Sequence, residues 1–201
     1  MLRIFQAAGF VFHSEVCIWK DPVTAMQRTK AIGLLHKQVR KDSALSRQGI
    51  PDYLVTVRKL GDNPEPCAGP FTEFAGEDAP AKTGDVIKDS INIWQRYASP
   101  VWMDINPSDT LQYRSARANE DERHICPLQL EVIRRGLQLW SNPGDLVLSP
   151  FAGIGSEGYC SLQAGRRFVG FELKPSYYNC AVKNLTDVSN NKQGALVCTS
   201  A

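Results

Sequence analysis

The chain has 201 residues, 43% of them hydrophobic and 22% charged, with a formal charge of +2. This composition is that of a folded soluble protein without repeats or low-complexity runs, and the length suits one sizeable domain, or one domain with a small insertion. So small a net charge points to no partner by itself, so any nucleic-acid surface must come from local clustering.

Six cysteines without a C-x-x-C pair, and three histidines off metal-ligand spacing, predict no structural zinc. No stretch reads as a secretory leader or an apolar membrane span. The expectation is a cytoplasmic protein with free thiols.

Residues 2–20 read as the end of a helix, a stop at Gly9, and a strand with Phe10, Phe12, Val16 and Ile18 on its apolar face. From 27 to 47 come Arg28, Lys30, Lys37, Arg40, Lys41 and Arg47, with His36, against a single acid, Asp42. A basic loop or loosely helical segment is expected there. Phosphate contact is one reading, and a solvated basic face without a partner is the other.

A β-branched and aromatic strand follows over 52–59. Residues 61–120 then carry Pro64, Pro66, Pro70, Pro80, Pro100 and Pro107, which predicts an irregular insertion without long regular elements. Its Trp94, Tyr97, Trp102 and Tyr113 interleave with Arg96, Arg114 and Arg117, a pattern that can stack on and clamp nucleic acid. For Trp94 and Trp102 a small aromatic core is the plainer reading.

Leu130, Ile133, Leu137 and Trp140 lie at helical spacing, predicting a helix over 128–140 with acids before it, Pro127 in its first turn and a stop at 141–144. A strand over 146–148 enters a turn with Gly153, Gly155 and Gly158, and a helix runs to about 164. A second strand over 168–171 ends on Glu172, a last helix covers 174–185, and 193–200 reads as a short strand or frayed tail.

The unit from 144 to 178 has the chemistry of a ligand site. Glycines let backbone approach a ligand, a helix start offers unpaired N–H groups, and a carboxylate at the next strand's tip can accept both hydroxyls of a ribose. The glycine spacing also satisfies the dinucleotide fingerprint, so a nicotinamide or flavin stays open, as does a turn whose glycines merely permit packing. Against a dinucleotide, only about forty residues follow, where such domains usually continue at length.

The phrase Pro150-Phe151-Ala152-Gly153-Ile154-Gly155-Ser156 resembles the cofactor motif of the DNA amino-methyltransferases that use S-adenosylmethionine (SAM). The order of pieces resembles their β group, the permuted arrangement in which the SAM-binding half comes last, and is closest to prophage- or phage-type DNA methylases. The resemblance implies an α/β, Rossmann-like SAM methyltransferase fold. It divides the chain into the end of a catalytic half (1–60), a target-recognition insertion (61–120) and a SAM-binding half (121–201).

Carried over by position, it implies cofactor contacts at His124, Pro127, Ser149, Phe151, Gly153, Gly155 and Glu172. For double-stranded DNA it leaves Arg28, Lys30, Lys37 and Arg40. The implied reaction moves a methyl group from SAM to the N6 of adenine or the N4 of cytosine on a flipped base.

Two departures stand out. Ser149 occupies the place of the family's usual aspartate, which removes a negative charge near the cofactor. The Asp-Pro-Pro-Tyr or Ser-Pro-Pro-Tyr type catalytic tetrapeptide is absent; Ser99-Pro100-Val101-Trp102 and Asn106-Pro107-Ser108-Asp109 lack its second proline. Its strand is a central one in the family's sheet, so the expectation is a partial fold with that strand missing, in a chain truncated at its amino end or completed by another segment or copy. No catalytic residue is assigned. A non-catalytic DNA- or SAM-binding module is the alternative of a different class, and a nicotinamide-dependent oxidoreductase is a third.

Overall fold

The computed structural model describes residues 2–112, 116 and 127–197, and these form seven α-helices and five β-strands. The chain divides into two units, one built from Met1–Pro66 and Ile91–Ile105, the other from Cys67–Ser90 and Asn106–Ala201. The architecture is α/β, as expected.

In the first unit a short helix, α1 (Leu2–Ala7), ends at Gly9, whose φ of 83° turns the chain into β1 (Phe10–Ile18). β1 is the middle strand, with β2 (Asp52–Lys59) antiparallel on one side and β3 (Val101–Trp102) parallel on the other. The β1–β2 register slips between Phe12 and Ser14, which face Val57 and Thr56, so His13 is an extra residue. Such a bulge changes the phase of side-chain alternation. The single apolar face expected for β1 is therefore broken: Phe12 is 52% exposed while Ile18 is buried.

The basic stretch is more regular than a loop, with α2 (Pro22–Thr29), α3 (His36–Lys41) and two short 3-10 turns. Pro22 sits where its missing N–H costs nothing, and the Asp21 carboxylate accepts the Val23 N–H at 2.8 Å.

The expectation that 61–120 holds no long regular element is corrected by α4 (Val86–Tyr97), a helix of twelve residues. The interval between Pro80 and Pro100 is free of proline, and Asp85 caps the helix by accepting the Ile87 and Lys88 N–H groups at 3.0 and 3.2 Å. The aromatic core is also different from that expected. Trp102 and Tyr97 are buried, and the indole N–H of Trp102 donates to the Tyr97 carbonyl at 3.2 Å, but Trp94 is about half exposed. Tyr113, Arg114 and Arg117 lie outside the described residues.

The second unit runs α5 (Leu130–Trp140), β4 (Leu146–Ser149), α6 (Ser156–Gln163), β5 (Arg167–Gly170) and α7 (Pro175–Val197). β4 and β5 are parallel, with Leu146 opposite Arg167 and Ser149 opposite Gly170. Leu130, Ile133 and Leu137 of α5 pack on Cys160 of α6, with Val147 of β4 against them. The strand's alternation leaves Leu146, Leu148 and Val169 on the other face, 55%, 61% and 43% exposed.

Two boundaries moved. α5 starts at Leu130, so Pro127 precedes the helix instead of opening it; the Leu130 N–H donates to the Asp109 carbonyl at 2.8 Å. α7 continues to Val197 where a strand or frayed tail was expected, with the Thr186 and Ser189 hydroxyls turned back onto the Val182 and Leu185 carbonyls.

Candidate cofactor turn and basic surface

The turn after β4 uses its glycines for different purposes. Gly153 and Gly155 have φ of 54° and 88°, a region that disfavours other residues, and Gly155 immediately precedes α6. A Cβ on Gly153 would meet nothing within 4 Å, so that side of the backbone is open. One on Gly155 would come 3.2 Å from Cβ of Ala181, and one on Gly158 would lie 2.7 Å from the Phe168 ring and the Leu185 side chain. Gly153 thus faces free space, while Gly155 and Gly158 let α7 and β5 approach α6.

Glu172 follows β5, and its carboxylate joins two turns. Oε2 accepts the Gly153 N–H and Oε1 accepts the Lys174 N–H, both at 2.9 Å. Each oxygen keeps a lone pair, and the side chain is half-buried. The same two turns carry Phe151 and Leu173, 87% and 100% exposed. An acceptor pair beside bare apolar side chains and an open glycine backbone fits a nucleoside ligand. Ser149 is buried at the end of β4, Pro127 is half-buried two residues before Gln129, and His124 lies outside the described residues.

In the first unit, Arg28 lies in α2, and Lys30 ends that helix in a left-handed conformation (φ 56°), its N–H donating to the Met26 carbonyl at 2.7 Å. Lys37 and Arg40 are exposed on α3. Among the described residues none of Lys30, Lys37 and Arg40 forms an ion pair. A 620 Å³ cavity lies within this unit, lined by apolar groups including Trp19, Leu34, Leu35, Val39 and Ile50, with His36 and Arg47 also on its wall.

Sequence reading missed a set of charges on α5. Glu131 and Arg135 are buried, Glu131 accepting the Asn106 N–H at 2.8 Å and Arg135 donating Nε–H to the Ala75 carbonyl at 2.6 Å. Arg134 pairs with Asp109 at 2.8 Å. The available signal was charge at 131, 134 and 135 interleaved with apolar 130, 133 and 137. Burial raises the carboxyl pKa of Glu131, against the Asn106 N–H that lowers it, and burial also raises that of Glu157 on α6. The Cys160 thiol is pushed up to about 12 by burial.

Among the described residues no group of three or more His, Cys, Asp or Glu side chains is placed to hold a metal ion, and no helix is long and apolar enough to cross a membrane.

Parallel strands joined through a glycine turn and a helix, with an acid after the second strand, place the chain in the class of Rossmann-like methyltransferase folds. The family model described as DNA methylase (N6_N4_Mtase) matches residues 17–183, and the chain belongs to that family.

Similar proteins include the type II methyltransferase M.HindIII of Haemophilus influenzae, 26% identical over 197 residues, covering 93% of this chain and 59% of the relative. M.Cfr9I of Citrobacter freundii is 38% identical over 68 residues, 34% of this chain and 23% of the relative. The fold is similar to that of TTHA0409 from Thermus thermophilus, provisionally assigned as a DNA modification methylase and solved with S-adenosyl-L-methionine. The TM-score is 0.54 at 21% identity, over 93% of this chain and 58% of that one. The chain thus spans less than two thirds of the length of these relatives.

Proposed function

We propose that this chain supplies the SAM-binding and DNA-recognition parts of a DNA amino-methyltransferase of the permuted, phage-like β group, acting in the cytoplasm on adenine N6 or cytosine N4 of double-stranded DNA. The observation that carries the reading is the Glu172 carboxylate, held at the mouth of the open Gly153 turn by two backbone N–H groups. Glu172 would take the ribose hydroxyls, Phe151 would lie against the nucleoside, and the Gly153 backbone would approach the methionine end. Bound SAM would supply the electrophilic methyl group. Family membership favours this ligand over a nicotinamide.

Lys30, Lys37 and Arg40, with Arg28, would contact DNA phosphates. The neighbouring cavity, with Trp19 on its wall, has room for an unstacked base. Residues 61–120 would carry target recognition. The catalytic tetrapeptide is absent from the 201 residues, so methyl transfer would need it from another segment.

Calorimetric titration with S-adenosylhomocysteine tests the cofactor reading. Saturable binding by the wild-type chain and its loss in Glu172→Ala are expected; a folded chain that binds NADH and ignores S-adenosylhomocysteine would overturn it. Methyl transfer by a chain extended to include the tetrapeptide, and none by the 201 residues alone, is the expected result of a companion assay.

A further inference from the structure

The second unit's chain breaks off at Ser90 and resumes at Asn106. Ala75 and Asn106, both in this unit and both within 61–120, are tied to one turn of α5 by buried charges. The Glu131 carboxylate holds the Asn106 N–H, and the Arg135 guanidinium holds the Ala75 carbonyl and lies 5.3 Å from the Phe74 ring centroid. Beside them Asp109 accepts the Leu130 N–H through its carbonyl and pairs with Arg134 through its carboxylate.

Burying two charges on a helix whose neighbours are Leu130, Val132, Ile133 and Leu137 is costly unless each is paired and hydrogen-bonded. An apolar pair would serve the core at least as well. What an apolar pair lacks is direction: only a donor and an acceptor can fix one carbonyl and one N–H of irregular backbone at set points. No helix or strand lies within 67–77 or 103–112 to hold these segments.

We propose that Glu131 and Arg135 are positioning residues that fix two points of the recognition segment, Ala75 and Asn106, on α5. The proposal rests on the reading of 61–120 as the target-recognition part. With these two points fixed, the backbone around them is already ordered before DNA arrives; with them loose, that ordering cost falls on binding.

The test compares three variants of the full chain. Glu131→Leu removes the acceptor, Glu131→Gln keeps one, and Arg135→Met removes the donor with little change in length. Hydrogen exchange is followed for peptides over 70–77, 104–111 and 146–163, alongside anisotropy with a labelled DNA duplex and calorimetry with S-adenosylhomocysteine.

Glu131→Leu should speed exchange over 104–111 about tenfold, as loss of a charge-assisted hydrogen bond allows. Arg135→Met should do the same over 70–77, and both should weaken duplex binding about tenfold. Glu131→Gln should stay within about twofold of wild type throughout, and S-adenosylhomocysteine affinity and exchange over 146–163 should hold in all three. Duplex affinity unchanged in Glu131→Leu, or lost equally in Glu131→Gln, overturns the positioning role. If Arg135→Met does not fold, the Glu131 pair decides alone. A wild-type chain with no duplex affinity refutes the recognition reading itself.

Discussion

The Glu172 carboxylate accepts the Gly153 N–H at 2.9 Å, tying the turn after β5 to the turn after β4. The acid therefore has two duties, one to the fold and one to the proposed ligand. Glu172→Gln keeps one carbonyl acceptor and should lower stability by about 1 kcal/mol; Glu172→Ala strips both turns of their acceptor and should cost about 1–3 kcal/mol. Urea unfolding of each variant gives these values. Adding S-adenosylhomocysteine should raise the midpoint of wild type and leave that of Glu172→Ala where it was.

Gly158 has no room for a methyl group, since its Cβ would fall 2.7 Å from Phe168 and Leu185. Gly158→Ala should destabilise by about 1–3 kcal/mol despite alanine's better helix propensity. Thermal unfolding measures it, and a neutral result would mean that α6 and β5 shift apart freely.

Lys30 occupies a left-handed cap where glycine is preferred. Lys30→Gly should raise stability by up to about 1 kcal/mol while weakening duplex binding through loss of a cation. Chemical denaturation and anisotropy in two salt concentrations separate the effects; a shallower salt dependence in the variant is expected.

Burial holds the Cys160 thiol protonated, with a pKa of about 12, and its Sγ lies 3.8 Å from the Leu130 carbonyl, whereas Cys67 is exposed. Iodoacetamide at pH 8 should label Cys67 in the native chain and Cys160 only after unfolding, as read by peptide mass mapping.

Burial disfavours the charged form of Glu157 and raises its carboxyl pKa above the ordinary value. The folded state therefore holds this proton more tightly than the unfolded chain. The contribution is fully present below the unfolded pKa and fades as pH rises through the folded one. Glu157→Gln should flatten that decline, raising Tm more at pH 7 than at pH 5.

Periodicity and punctuation made most elements legible: α1 before Gly9, β2, the β4–turn–α6–β5 unit and the acid after it. Their signals are local, so they survive without knowledge of what packs where. The rest depended on distant partners. α5 is started by the Asp109 carbonyl, which no neighbouring residue reveals, and the β1 bulge arises from pairing with β2. Proline density suggested irregularity across 61–120, yet the proline-free interval after Pro80 was long enough for α4. In the site, Glu172 was visible as an acid at a strand tip, but its bond to Gly153 required the turns to meet in space. Glu131 and Arg135 were hidden because a charged residue on a helix is ordinarily solvated.

Phe168 fills space that side chains at 158 and 170 would otherwise claim: a Cβ on Gly170 would lie 2.8 Å from its ring, and one on Gly158 closer still. These three positions share one volume. An enlargement at 158 also meets Leu185 and one at 170 also meets the Ala152 Cβ, so single substitutions are blocked and a smaller residue at 168 relieves only part of the crowding. Changes at these positions are therefore coupled, and Gly158→Ala combined with Phe168→Leu should recover part of what Gly158→Ala loses alone.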